Sequence, residues 1–346
     1  MRFADFAIAA IAALNIAASA ASGFELEAHK TFPVQNAEHE LRIISTADID
    51  AFEPIIRGYQ AANPTVAVDY SIASSTELMK AVYDENAQFD LAISSAMDLQ
   101  TKIANDGLAQ TYRSPQTDSL PDWAKWRDLV FSFTQEPAVL VVSQAFFADF
   151  DTPKNRDDLI RLLREHPEQF RGKVGTYDVR SSGLGYLFAT QESRNSENYW
   201  RLTEVIGRLQ PRLYCCSSDM ISDVANGRLA MAYNVLGSYA ESRLAETPGI
   251  AIIEMDDFQS VMLRTVLIPG NARNVKSAQE MVDYLVTLGS RPKIAADSAL
   301  PPINADALSE NDALRPIRLG PGLLVFLDRL KRDNFIRSWT NSMEQK

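Results

Sequence analysis

Short apolar runs alternate with segments of helical spacing along most of this chain, and the alternation predicts its elements. Residues 41–46 read as a strand ending in Ser45 and Thr46. Phe52, Ile55, Ile56 and Tyr59 then share one face of a helix over 50–63, which Asn63 and Pro64 stop. Val66, Val68 and Tyr70 alternate as a strand over 65–71; Ser74, Ser75 and Thr76 cap a helix over 77–86. A third strand, 89–93, runs into Ser94 and Ser95 before a helix over 97–105. Further along, 131–142 and 261–268 read as long strands able to cross between two lobes. Between them lie strands at 174–177, 229–233 and 250–254, with helices at 155–163, 198–209 and 220–226 and another beginning at Gly237. Helices over 278–288 and 323–342 close the chain, the last carrying Leu323, Phe326, Leu327, Phe335, Ile336 and Trp339. Strand and helix alternating at this pace predict βαβ units and an α/β fold with mostly parallel sheets.

Candidate chemistry gathers where those strands end. The strand at 174–177 passes through a polar turn into a helix that begins at Ser181, Ser182 and Gly183, beside Arg180. The first N–H groups of a helix lack internal partners, and the helix dipole places partial positive charge there. Hydroxyls and free amides at such a point suit an anionic group, although a plain helix cap has the same residues. What favours the anion is repetition. Ser45–Thr46, Ser74–Ser75 and Ser94–Ser95 end three strands in the same manner, and ligands of open α/β sheets sit beyond the carboxyl ends of strands. Tyr233 and Asn234, at the end of the 229–233 strand, complete the candidate set, and Tyr177, Tyr233 and Tyr239 are aromatic cover for an organic portion.

Size and charge narrow the picture. A chain of 346 residues accommodates two cores, and its net charge of −11 argues against nucleic acid or an anionic membrane surface as partner. Arg2, the apolar run 6–18 and the small residues Ala18 and Ala20 make a secretory signal peptide over 1–20, too short to span a bilayer, so the mature protein is expected in the periplasm. Residues 21–37 are polar and without period, an extended arm. Two cysteines occur, Cys215 and Cys216, read by default as reduced or incidentally oxidised thiols because a bond between neighbours closes a strained ring. His29, His39 and His166 lie away from any nucleophile, and no GxSxG, P-loop, GxGxxG, HExxH or zinc spacing occurs. The expectation is a protein with no catalytic residues, no metal and no cofactor.

On these residues the chain resembles the periplasmic solute-binding proteins of ABC transporters, in the type 2 class that includes ferric-iron and phosphosugar binders. The matching stretches are 41–46, 89–109, 172–187, 222–240, 266–271 and 295–304 together with the aromatic C-terminal helix. The resemblance implies two lobes of mixed, mostly parallel sheet: residues 38–130 plus 265–346 in lobe 1, 140–255 in lobe 2, and hinge crossings at 131–139 and 256–264. It also implies a monomer that closes on a small ligand and is recognised by an ABC permease; a sensory accessory of a membrane sensor kinase is the alternative. One departure bears on the ligand. Ferric-iron members carry adjacent tyrosines after the strand matching 229–233, whereas Tyr233 and Tyr239 are separated here by Asn234-Val-Leu-Gly-Ser. Paired tyrosinates are hard donors for ferric ion, so their absence moves the expectation to a small organic anion, phosphorylated or carboxylated, and leaves iron as the alternative. The residues expected to hold the ligand are Ser45, Thr46, Ser74, Ser75, Ser94, Ser95, Arg180, Ser181, Ser182, Gly183, Tyr233 and Asn234.

Overall fold

The computed structural model describes residues 23–244 and 247–345; the signal-peptide expectation for 1–20 lies outside them. The first sheet collects β1 (Ala28–Phe32), β2 (His39–Ser45), β3 (Val66–Ile72), β4 (Leu91–Ser94), β5 (Lys125–Trp126) and β6 (Val130–Ser132). The second begins with β7 (Glu136–Ser143) and adds β8 (Val174–Tyr177), β9 (Arg212–Tyr214), β10 (Met231–Leu236), β11 (Ile250–Ile253) and β12 (Gln259–Met262). Then β13 (Thr265–Leu267) returns to the first sheet and β14 (Leu314–Pro316) to the second. The orders are β1-β3-β2-β4-β13-β6-β5 and β14-β12-β7-β10-β8-β9, with β11 beside β7.

The two-lobed α/β expectation holds, and the crossings explain how. Each long strand read from the sequence is two strands, one per sheet: β6 and β7 in place of 131–142, and β12 and β13 in place of 261–268. The backbone changes sheets at Phe133–Gln135 and at Leu263–Arg264, two connections that lie side by side, and crosses a third time between Leu300, in the core of the first lobe, and Leu314 in the second sheet. Parallel pairing is confined to β3-β2-β4, β10-β8-β9 and β12-β14; the pairs made by β1, β5, β6, β7, β11 and β13 are antiparallel, so β12 has one neighbour of each kind. Leu41, Ile43, Phe52, Ile56, Val68 and Tyr70 build a core in the first lobe. Leu140, Leu159, Val174, Leu202 and Met231 build one in the second. A third cluster is continuous across the interface, from Leu78 and Met97 to Leu184 and Met220.

The C-terminal stretch departs from the expected division. Leu314–Pro316 lies parallel to β12 in the second sheet. Helix Arg329–Met343 buries Phe335, Trp339 and Met343 in the core of the second lobe, not the first. Its apolar face fits helix Tyr199–Arg208 because Gly207 leaves room for backbone: a Cβ there would lie 1.9 Å from the Ser342 carbonyl oxygen. The expected 323–342 helix is also interrupted, with a 3-10 turn at Pro321–Leu327 leading into it.

Candidate functional site

Three helices present their first turns to one space between the lobes. Helix Ser75–Met79, continued by Lys80–Asp84, begins at the end of β3, capped by Ser74, whose hydroxyl accepts from Glu77 N–H at 3.2 Å. Helix Gly183–Asn195 follows β8 and is capped by Ser182, which accepts from Gly185 N–H at 3.1 Å and donates to the Cys215 carbonyl at 2.9 Å. Helix Ser217–Ala225 follows β9. Its Ser217 hydroxyl bonds the Tyr177 hydroxyl and accepts from Leu236 N–H. The strand–turn–helix geometry of an α/β sheet produces this, since every such turn falls at the same edge of its sheet.

These turns enclose a cavity of ≈ 80 Å³. Thr46, Ser74, Ser75 and Ser95 line it from the first lobe; Ser181, Ser182, Ser217 and Ser218 do so from the second, with Tyr177, Tyr239 and the Cys215–Cys216 pair. The two cysteines, whose redox state the sequence left open, are joined in a disulfide. The lobes touch across the space. Gly183 N–H donates to Ser75 Oγ at 3.1 Å, Thr76 Oγ1 to the Ser181 carbonyl at 3.4 Å, and Ser218 Oγ to an Asp48 carboxylate oxygen at 3.2 Å. The cleft is therefore closed.

Arg264 stands at the cavity floor, fully buried, on one of the two hinge crossings. It forms a fork with Glu136, buried on the other crossing: Nε to Oε1 at 2.9 Å and Nη2 to Oε2 at 3.0 Å. Thr134 and Ser238 hydroxyls also bond the Glu136 carboxylate. Burial works against the guanidinium charge, but the Glu136 and Tyr239 neighbours outweigh it and hold the group above its ordinary pKa. Its Nη1 approaches only Thr46 Oγ1, at 3.5 Å, among the described residues. Burial raises the Tyr239 phenol to about 12, so it meets a ligand as a neutral hydroxyl.

Of the twelve residues read from the sequence, Thr46, Ser74, Ser75, Ser95, Ser181 and Ser182 line the cavity. Gly183 adjoins it, its N–H occupied by Ser75. Five are placed otherwise. Ser45 and Ser94 are buried beneath the turns, where their hydroxyls accept from Ala47 and Ala96 N–H two residues on, a local use that short hydroxyl side chains favour. Arg180 points to the outside, held by Asp178 and by Glu344 of the C-terminal stretch. Tyr233 and Asn234 sit in a buried network inside the second lobe, where Arg156 donates to the Tyr233 hydroxyl and both residues donate to Glu192. Asn234 adopts a left-handed φ of 63° at a bulge in β10, a conformation asparagine tolerates better than most residues. The sequence reading passed over Arg264, Ser217, Ser218 and Asp48. Arg264 had a legible signal, a charge inside the run 261–268 that Thr265 alone otherwise breaks, and Ser217–Ser218, ahead of the helix over 220–226, repeat the hydroxyl turns of the other strand ends.

The sequence profile of the bacterial extracellular solute-binding proteins matches residues 45–290. Among solved structures, the substrate binding protein of an ABC transporter from Agrobacterium tumefaciens superposes with a TM-score of 0.87 at 29% identity, covering 93% of this chain and 100% of its own. The periplasmic binding protein AfuA from Actinobacillus pleuropneumoniae, with exogenous fructose-6-phosphate bound, gives 0.71 at 16% identity over 90% of this chain and 100% of its own. Iron-bound HitA from Pseudomonas aeruginosa gives 0.69 at 15% identity over 90% and 99%.

Proposed function

The chain belongs to the family of bacterial extracellular solute-binding proteins, and from that premise we propose that it captures a small organic anion, phosphorylated or carboxylated, in the periplasm for an ABC permease. Relatives of the same fold hold a phosphosugar in one case and iron in another, so the fold does not choose the ligand. The lining does. The observation that carries the reading is the convergence of serine and threonine hydroxyls, three helix N-termini and the Arg264 guanidinium on one space between the lobes. Hydroxyls and amides supply several hydrogen bonds to one anionic head, and the dipoles favour its charge. The iron alternative loses one of its two tyrosines, because Tyr233 is committed to Arg156 and Glu192.

Closure uses the side-by-side connections at Phe133–Gln135 and Leu263–Arg264 as its hinge, with the third crossing, between Leu300 and Leu314, moving along with them. A rotation there separates the serine turns of the two lobes, admits ligand, and brings the turns back onto it. Purified protein titrated with phosphate, phosphoesters and small carboxylates is expected to gain thermal stability with the best ligand, by ~2.7 kcal/mol at a hundredfold excess over Kd. Ser182→Asp keeps a helix-capping oxygen but places negative charge at the proposed anion seat. It forfeits the hydrogen bond that Ser182 donates to the Cys215 carbonyl, so its ligand-free unfolding midpoint should fall, and the gain on adding ligand, measured from that midpoint, should vanish. An undiminished gain in the variant removes Ser182 from the site, and no stabilisation by any anion overturns the reading.

A further inference from the structure

The charge around the cavity is not what a purely anionic guest requires. The positive charge at the floor, Arg264, is already matched by the Glu136 carboxylate through two hydrogen bonds. The rest of the wall adds only negative charge. Asp48 and Glu27 both line the space. Glu27 lies exposed at the rim, and its carboxyl is raised above its ordinary pKa by partial burial and by repulsion from Asp48 and Asp219. Two carboxylates, Glu27 and Asp48, thus line the space with Asp219 close enough to repel Glu27, while the guanidinium is fully buried. Tyr239 stands between the two ends: its hydroxyl accepts from Asp48 N–H at 3.2 Å, and the Arg264 guanidinium lies 6.0 Å from its ring. Arg264 also keeps donor capacity, since Nη1 has only the long approach to Thr46.

We propose that the solute is a short zwitterion, with an anionic head seated against Arg264 and the serine turns and a primary ammonium facing Asp48 and the acidic rim. This rests on the anion reading above and adds the second charge to it. A ligand of this class meets both ends of the site with opposite charge, whereas a plain anion enters against an edge of like charge. Size points the same way. The space of ≈ 80 Å³ is well below the roughly 150 Å³ that takes up a benzene molecule, which favours a short solute over a bulky one. Besides its hydroxyls the lining includes Ala73, Leu184, Leu236 and the Cys215–Cys216 disulfide, apolar surface against which a methylene spacer can lie.

The test is a calorimetric comparison of matched pairs on the full mature chain: 2-aminoethylphosphonate against ethylphosphonate, and β-alanine against propionate, each in wild type and in Asp48→Asn. Asparagine keeps an oxygen to accept from Ser218, so the variant should fold. In wild type the amino member of at least one pair is expected to bind at least tenfold more tightly than its partner lacking the amine, with that ratio falling towards one in Asp48→Asn. Equal binding within both pairs overturns the zwitterion and leaves the anion reading standing. Binding of ethylamine as tight as that of the amino acids overturns both, because the anionic head then contributes nothing. A ratio that persists undiminished in Asp48→Asn also counts against the proposal, since the ammonium would then be held elsewhere.

Discussion

At the scale of single residues, the molecule holds its charges where burial makes them consequential. The Arg264–Glu136 pair joins the two hinge crossings with every carboxylate oxygen bonded, which is the condition under which a buried ion pair is tolerated. Asp98 is the opposite case. It lies buried in the first turn of helix Met97–Asn105, accepts from Leu99 N–H at 2.9 Å, and burial raises its pKa to about 7. A folded-state pKa above the ordinary 3.8 means that the folded chain holds the proton through a range where the unfolded chain has released it. Its stabilising contribution is full below pH 3.8 and is lost as pH rises towards 7, over a span worth up to about 4 kcal/mol. Asp98→Asn should flatten that part of the profile. Denaturant melts of both proteins between pH 4 and 8 check this, and parallel profiles would refute it.

At the scale of elements, the C-terminal helix is the informative one. Its apolar residues were legible as a packing face, yet nothing in their spacing says which lobe receives them. Reception depends on Gly207, a bare position on helix Tyr199–Arg208 over which the Ser342 backbone passes. Gly207→Ala should therefore unseat the end of helix Arg329–Met343, because backbone oxygen is the obstacle and cannot rotate away. The expected loss is about 1–3 kcal/mol of stability, the range for overpacking, with faster proteolysis near residue 343. An unchanged unfolding midpoint would mean that the two helices separate without cost. The hydroxyl turns belong to this scale too. Strand-end serines were visible in the sequence, but alternate serines of one turn serve different ends: Ser45 and Ser94 bond the backbone beneath, while Thr46 and Ser95 face the cavity.

For the whole molecule, what matters is the balance between open and closed lobes. Gly183 sits at the tightest crossing point. A Cβ there would fall 2.6 Å from Ser75 Oγ and 3.1 Å from Leu99 Cδ1, both in the facing lobe. Gly183→Ala is expected to fold, since the position is the first of a helix, and to oppose closure. Ligand affinity should fall about tenfold, equivalent to ~1.4 kcal/mol taken from the closed state, while small-angle scattering of the ligand-free protein should report a larger radius of gyration. Unchanged scattering and affinity would separate this contact from closure.

By itself the sequence determined the element order, the α/β class and the turns at which chemistry gathers, because apolar periodicity and helix capping are local and leave their mark within a few residues. It also carried, through its resemblance, the two lobes and the extracytoplasmic binding role of the family. Three-dimensional packing alone decided which hydroxyl of each turn meets the solute, that Tyr233 and Asn234 belong to the Arg156–Glu192 network, that Arg180 faces outward, and that the last helix leaves the first lobe for the second. Each of those depends on groups far apart in the chain. Arg264 and Glu136 are 128 positions apart, and Gly183 and Ser75 are 108 apart; no local pattern encodes such a meeting, because its energy exists only once both lobes have folded and closed.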